Sequence, residues 1–132
     1  MADNAPCPLC QAEDRILLQN ELAFATRDQF PVAEGHTLIV PRRHTVDFFD
    51  LTAGEVAACY ALAREVRDGL ARGPRPPDGY NVGVNVGAAG GQGVWHVHLH
   101  LIPRRLGDVA EPRGGVRNIL PHRHGASSHE RS

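Results

Sequence analysis

Three imidazoles in alternation set the chemistry open to this chain: His96, His98 and His100, within Gly90-Gly-Gln-Gly-Val-Trp-His-Val-His-Leu-His-Leu-Ile-Pro-Arg-Arg105. A neutral imidazole near pH 7 can attack an electrophile, move a proton or bind a metal ion, depending on which ring nitrogen keeps its lone pair. Strict alternation with Val97, Leu99 and Leu101 predicts a half-buried strand with all three rings on one face, about 6.6 Å apart along it at a rise of about 3.3 Å per residue. A lone strand histidine is ordinarily a satisfied core or surface group. Three in a row are poor core filler, because each buried ring needs hydrogen-bond partners.

Two further stretches carry chemistry. Cys7-Pro8-Leu9-Cys10 has the spacing of a zinc knuckle, which supplies two thiolates of the four ligands a closed site requires. A redox pair would open a helix after a strand, whereas this pair precedes any plausible strand. Histidines elsewhere are the natural donors for the two missing ligands. Gly87 to Gly93 is glycine-rich, as backbone must be where its amides approach an anion, although a flexible hairpin connection would read the same. The third cysteine, Cys59, falls in a helical apolar stripe and reads as a small buried hydrophobe.

The elements that must position these groups follow from periodicity and punctuation. Arg15–Gln19 and Leu22–Arg27 read as a hairpin turning at Asn20 and Glu21. Asp28-Gln-Phe-Pro31 breaks the second strand, since proline has no N–H to donate. Gly35–Pro41 is a further strand, and the segment from His44 to Phe49 reads as a helical turn packing Phe48 and Phe49. Thr52 followed by Glu55 is a capping box, opening a helix that runs to about Arg72 with Val56, Cys59, Ala63, Val66 and Leu70 as its apolar face. Gly79–Val86 alternates again, and if it forms a hairpin with the histidine strand, Gly87 to Gly93 is the connection.

At 132 residues the chain reads as one domain over residues 1–120 with an N-terminal knuckle, followed by a polar, disordered tail over 121–132 that holds His122, His124 and His129. A net charge of -1 gives no bulk attraction to nucleic acid or to an anionic membrane. No apolar run approaches the roughly 20 residues of a membrane span, and the first residues lack a signal-peptide core, so a cytoplasmic location is expected. All 14 cationic side chains are arginine, a bias that suggests a GC-rich bacterial genome. Any fixed cation in a site is therefore a guanidinium, which suits bidentate contact with phosphate.

His96-Val-His-Leu-His-Leu-Ile102 resembles the signature of the histidine-triad (HIT) superfamily of nucleotide hydrolases and transferases. The resemblance extends to Asp28, Gly35-His36, Val40-Pro41, His44, Asn85 and Gly90-Gly-Gln92, and covers the chain from about Cys7 to Pro121. It implies an α+β fold, a five-stranded antiparallel sheet with one long helix, which pairs in a homodimer into a continuous ten-stranded sheet. It also implies a nucleotide substrate, a dinucleoside polyphosphate or a nucleoside phosphoramidate, cleaved at the α-phosphate to release a nucleoside monophosphate.

By the same resemblance His98 is the nucleophile, His100 contacts the phosphate oxygens, and His36 sits beside the nucleophile. Asp28 binds the ribose hydroxyls, while Asn85 and the backbone of Gln92, Gly93 and Val94 hold phosphate. Many members carry Ser or Thr where this chain has Gly93. Members with an N-terminal Cys-x-x-Cys hold a structural zinc, whose ligands map here to Cys7, Cys10, His44 and His96. The competing readings are a metallohydrolase in which the histidine row itself ligates the ion, and a nucleotide-binding module without turnover.

Overall fold

Thr52 and Glu55 start the long helix in the way their spacing requires. In the computed structural model, which describes residues 7–120, the Thr52 hydroxyl accepts from the Glu55 N–H at 3.0 Å and the Glu55 carboxylate accepts from the Thr52 N–H at 2.9 Å. Helix α1 (Ala53–Ala71) ends at Arg72, one residue short of Gly73. Its buried line is Cys59, Leu62 and Val66, whereas Val56 is 40 % exposed. Most of the expected face is therefore kept, with Ala63 and Leu70 packed against the core beside Cys59 and Val66, while Leu62 joins it against Ala23, Ala25, Ile39 and Leu101 and Val56 drops out.

Glu55 has a second partner. Arg43, at the exit of a strand, grips its carboxylate with two bonds of 2.7 and 2.9 Å. The Arg43 hydrogen bonds, then that of the Thr52 backbone, hold the Glu55 carboxyl at about 2, down from 4.5. Glu55→Ala is expected to lower stability by about 1–2 kcal/mol through loss of the cap. Because the folded carboxyl is the stronger acid, wild-type stability should also fall as the pH drops from 4.5 toward about 2, a slope the variant lacks. Thermal melting of both proteins across that range checks it.

The sheet has five antiparallel strands, β1 (Leu18–Gln19), β2 (Ala23–Arg27), β3 (Thr37–Pro41), β4 (Gly79–Val84) and β5 (Leu99–Arg104), in the order β1-β2-β3-β5-β4. Pairing places Thr26, Leu38, His100 and Gly83 in one row across it. Ala25, Ile39, Leu99 and Val84 form the adjacent row, which faces the helix. The first row therefore belongs to the opposite face. On that face a second apolar cluster joins Leu9 and Ala12 to Phe24 and Val40, so the N-terminal knuckle lies on the sheet as a third layer.

Several expected boundaries move. Only Leu18–Gln19 of the first strand pairs, since Glu13–Arg15 forms a 3-10 turn. The strand expected over Gly79–Val86 stops at Val84, where the chain turns into the glycine loop. The turn before the helix is Phe48–Asp50, and Phe49 is 78 % exposed rather than packed. The tail expected at 121–132, with its three histidines, lies outside the described residues. No helix among the described residues is long and apolar enough to cross a membrane.

Candidate functional site

The histidine strand is shorter than its alternation predicts. β5 begins at Leu99, so His96 and His98 precede it and only His100 lies within the sheet. Pro41 accounts for this. It ends β3 and has no N–H to continue the ladder, and the chain turns away toward His44. The Val97 N–H finds the Thr45 carbonyl instead, at 2.7 Å. The three rings consequently serve three different neighbourhoods rather than one common row.

His96 is fully buried. Its Nε2 donates to the Pro41 carbonyl at 2.8 Å, which leaves Nδ1 with a lone pair 3.4 Å from Cys7 Sγ and 3.5 Å from Cys10 Sγ. His44 brings its own Nδ1 to 3.3 Å from Cys10 Sγ, with its ring 4.9 Å from that of His96. Zinc bonded tetrahedrally to thiolate at about 2.3 Å and to imidazole at about 2.0 Å keeps sulfur and nitrogen about 3.5 Å apart. The Cys7, Cys10, His44 and His96 set has that spacing, and all four ligand atoms lie within 4.8 Å of one another. Desolvation and then Cys7, by hydrogen bond and charge, push the Cys10 thiol up to about 11. A cation shared by the two sulfurs reverses that penalty.

His98 is oriented by the chain next to it. Its Nδ1 lies 2.8 Å from the His96 carbonyl oxygen, which can only accept, so the proton sits on Nδ1 and the Nε2 lone pair is free. The His98 and His100 rings are 5.1 Å apart. Among the described residues two groups of ligating atoms could hold a metal, the Cys2His2 set and Asp28 with His36 and His100. His98 belongs to neither.

The second group is better explained by protons than by a metal. The Val32 N–H donates to His36 Nδ1 at 3.2 Å, which fixes the proton of a neutral His36 on Nε2. That Nε2–H lies 2.9 Å from His100 Nδ1 and 3.3 Å from Asp28 Oδ2. A metal at Nε2 would need a proton on Nδ1, facing the Val32 N–H. His100 therefore accepts on Nδ1 and carries its proton on Nε2, as a donor. Burial pushes His36 down from its ordinary value against the pull of Asp28, and burial, then His98 and His36, push His100 down. Both shifts favour the neutral rings that this chain of bonds requires.

The remaining expected residues are placed as follows. Asp28 follows the last residue of β2 and accepts from the Phe30 N–H at 2.8 Å, which holds its other oxygen toward His36. Asn85 is exposed just past β4, beside Gly91, whose φ of 93° requires glycine. Gln92 is buried and staples the loop: its side chain accepts from the Gly87 N–H and donates to the Val46 and Val94 carbonyls. Its own N–H donates to the Gly87 carbonyl, so Gln92 has no amide left for a ligand. The N–H groups of Gly93 and Val94 make no such bond among the described residues. A methyl group built at Gly93 meets nothing within 4 Å.

Residues 10–107 match the family model for the HIT domain. An uncharacterised HIT-like protein of Mycoplasma genitalium is 43 % identical over 86 residues, 65 % of this chain and 60 % of that protein. The AP-4-A phosphorylase of Mycobacterium tuberculosis is 34 % identical over 102 residues, 76 % of this chain and 52 % of the enzyme. The chain thus spans only about half to two thirds of the length of these curated relatives. Among solved structures, a zinc-bound histidine-triad protein of Mycobacterium smegmatis superposes with a TM-score of 0.71 at 33 % identity, covering 80 % of this chain and 79 % of that one. A HIT family protein of Bacillus anthracis gives 0.70, also at 33 %, covering 80 % and 76 %.

Proposed function

Because the chain belongs to the HIT domain family, we propose that it is a nucleotide hydrolase that works through a nucleotidyl-histidine. The substrate is a dinucleoside polyphosphate or a nucleoside phosphoramidate, and the product a nucleoside monophosphate. The observation that carries this reading is the 2.8 Å bond from His98 Nδ1 to the His96 carbonyl, which leaves the opposite nitrogen available for attack.

His98 Nε2 attacks the α-phosphorus, a P–N bond forms, and the bond to the leaving group breaks with its electron pair. Water then attacks the same phosphorus, the P–N bond breaks, and the monophosphate departs. His100, holding its proton on Nε2 because Nδ1 accepts from His36, donates to a phosphate oxygen as charge gathers there. His36 acts through His100 and does not itself contact the reacting atoms. Asp28 takes the ribose hydroxyls, and the amides of Gly93 and Val94, with Asn85, bind phosphate. The alternative in which one ion is held by the whole histidine row draws no support from three rings with three different partners.

The Cys7, Cys10, His44 and His96 set suits a structural zinc, a reading also supported by the zinc-bound neighbour of M. smegmatis. Four protein ligands close the coordination sphere and leave the metal to pin the knuckle to the sheet. The homodimer extends the sheet through β4, an edge strand with Val82 exposed. The test is capture of an acid-labile nucleotidyl adduct on His98 by rapid acid-free denaturation and mass spectrometry. Turnover with no adduct on any histidine overturns the reading. Gly93→Ser, for which the space is open, is expected to raise kcat about threefold to tenfold by adding one hydrogen bond to the phosphate or the leaving group.

A further inference from the structure

Two consecutive carbonyls, of Thr45 and Val46, each receive a hydrogen bond from the stretch that carries the triad. Thr45 accepts from the N–H of Val97, the residue before His98, at 2.7 Å, and Val46 accepts from the Gln92 side chain at 2.9 Å. We propose that Gln92 is a positioning residue whose side chain registers the phosphate-binding loop against His98, an inference that rests on the nucleotide reading above.

The loop requires such a device. Open space surrounds Gly93, and a glycine has more backbone freedom to lose on ordering than any other residue. Gln92 restrains the chain on both sides of it. Toward the loop entrance, its Oε1 accepts from the Gly87 N–H at 2.9 Å while its own N–H donates to the Gly87 carbonyl at 3.0 Å. Toward the exit, its Nε2 donates to the Val94 carbonyl at 3.2 Å. The Gly93 and Val94 N–H groups, which the reading above gives to phosphate, thus lie between two peptide groups that are held. The bond to Val46 then ties this frame to the backbone that also carries Val97, so one short segment sets the nucleophile and the amides at a fixed separation.

The pattern specifies glutamine. One acceptor must meet the Gly87 N–H and two donors must meet the Val46 and Val94 carbonyls, all from one planar group. The residue is 6 % exposed, which leaves little water to replace a lost bond. Glutamate keeps the size and the acceptor but turns a charged oxygen toward two carbonyls. Methionine keeps the length and makes none of the three bonds. With its polar atoms engaged by backbone, Gln92 acts on the reaction only through the chain it holds.

Gln92→Met and Gln92→Glu in the full chain test this, with AMP and adenosine binding measured by chemical-shift titration. Each variant is expected to lose about tenfold in AMP affinity, because the amides must be ordered on binding, and to keep its adenosine affinity within about twofold. Formation of the His98 adduct from an adenylate donor is expected to slow by about 10²-fold. In the ligand-free wild type, which needs no variant to fold, the Gly93 and Val94 amides are expected to have the order parameters of rigid backbone, about 0.85. AMP affinity unchanged in both variants, an equal loss for AMP and adenosine, or wild-type order parameters below about 0.6 overturns the proposal. The nucleotide reading survives each of those results where the wild type still forms the His98 adduct. Wild-type protein that binds AMP no better than adenosine and forms no adduct overturns both.

Discussion

His98→Ala is expected to lose turnover by about 10⁴-fold or more while keeping its fold, and to form no nucleotidyl adduct. The size of the loss follows from the absence of a substitute nearby. His96 Nδ1 faces two sulfurs, and both nitrogens of His36 are engaged, with Val32 and with His100. The nitrogen of His100 that does not face His36 carries the ring proton. No other imidazole of the cluster thus combines a free lone pair with a fixed orientation. His98 is half-buried and its side-chain bond runs to a neighbouring carbonyl, so its removal leaves both apolar clusters intact. Single-turnover kinetics with circular dichroism of the same sample checks both halves. An adduct on the variant would show that another group attacks.

Stripping the metal is expected to cost stability before it costs chemistry. Leu9 and Ala12 cover Phe24 and Val40, but the knuckle that carries them includes no strand, and its cysteines reach the sheet through His44 and His96. Structural zinc supplies about 10–16 kcal/mol in peptides that cannot fold without it. Here the helix and five strands have their own core, so a smaller loss of about 3–5 kcal/mol is expected. For a chain of this size that is a fall of about 10–20 °C in Tm. Calorimetry of the zinc-loaded protein with and without a chelator, alongside Cys7→Ser with Cys10→Ser, measures it. An unchanged Tm after verified metal loss would assign the four ligands some other role.

Local rules read this sequence well where one residue answers to its neighbours. The Thr52–Glu55 cap, the burial of Cys59 and the ends set by Pro41 and Gly73 are of that kind. Grouping Cys7 and Cys10 with His44 and His96 came from family likeness, since a pair 89 residues apart leaves no periodic trace. What stayed hidden was set by partners remote in sequence. The burial of Leu62 in place of Val56 depends on how α1 sits over Ala23 and Ala25, and the split of the triad depends on where β3 stops. Backbone groups also carry no side-chain signal, yet the Val32 N–H and the His96 and Pro41 carbonyls assign the ring protons of His36, His98 and His96. The Gln92 staple had a visible cue, an amide placed among glycines that can hold several backbone groups at once.

The carboxylate of Glu55 closes the first turn of α1 and, through Arg43, restrains the residue next to His44. Opening that turn therefore loosens one of the four proposed zinc ligands, and losing its hold frees the arginine that steadies the turn. The two segments should exchange their amide hydrogens with solvent as a single cooperative unit, slowed together when the ion is present. If zinc is held there as proposed, its release would be an event of local unfolding, with a rate set by how often one helix end frays.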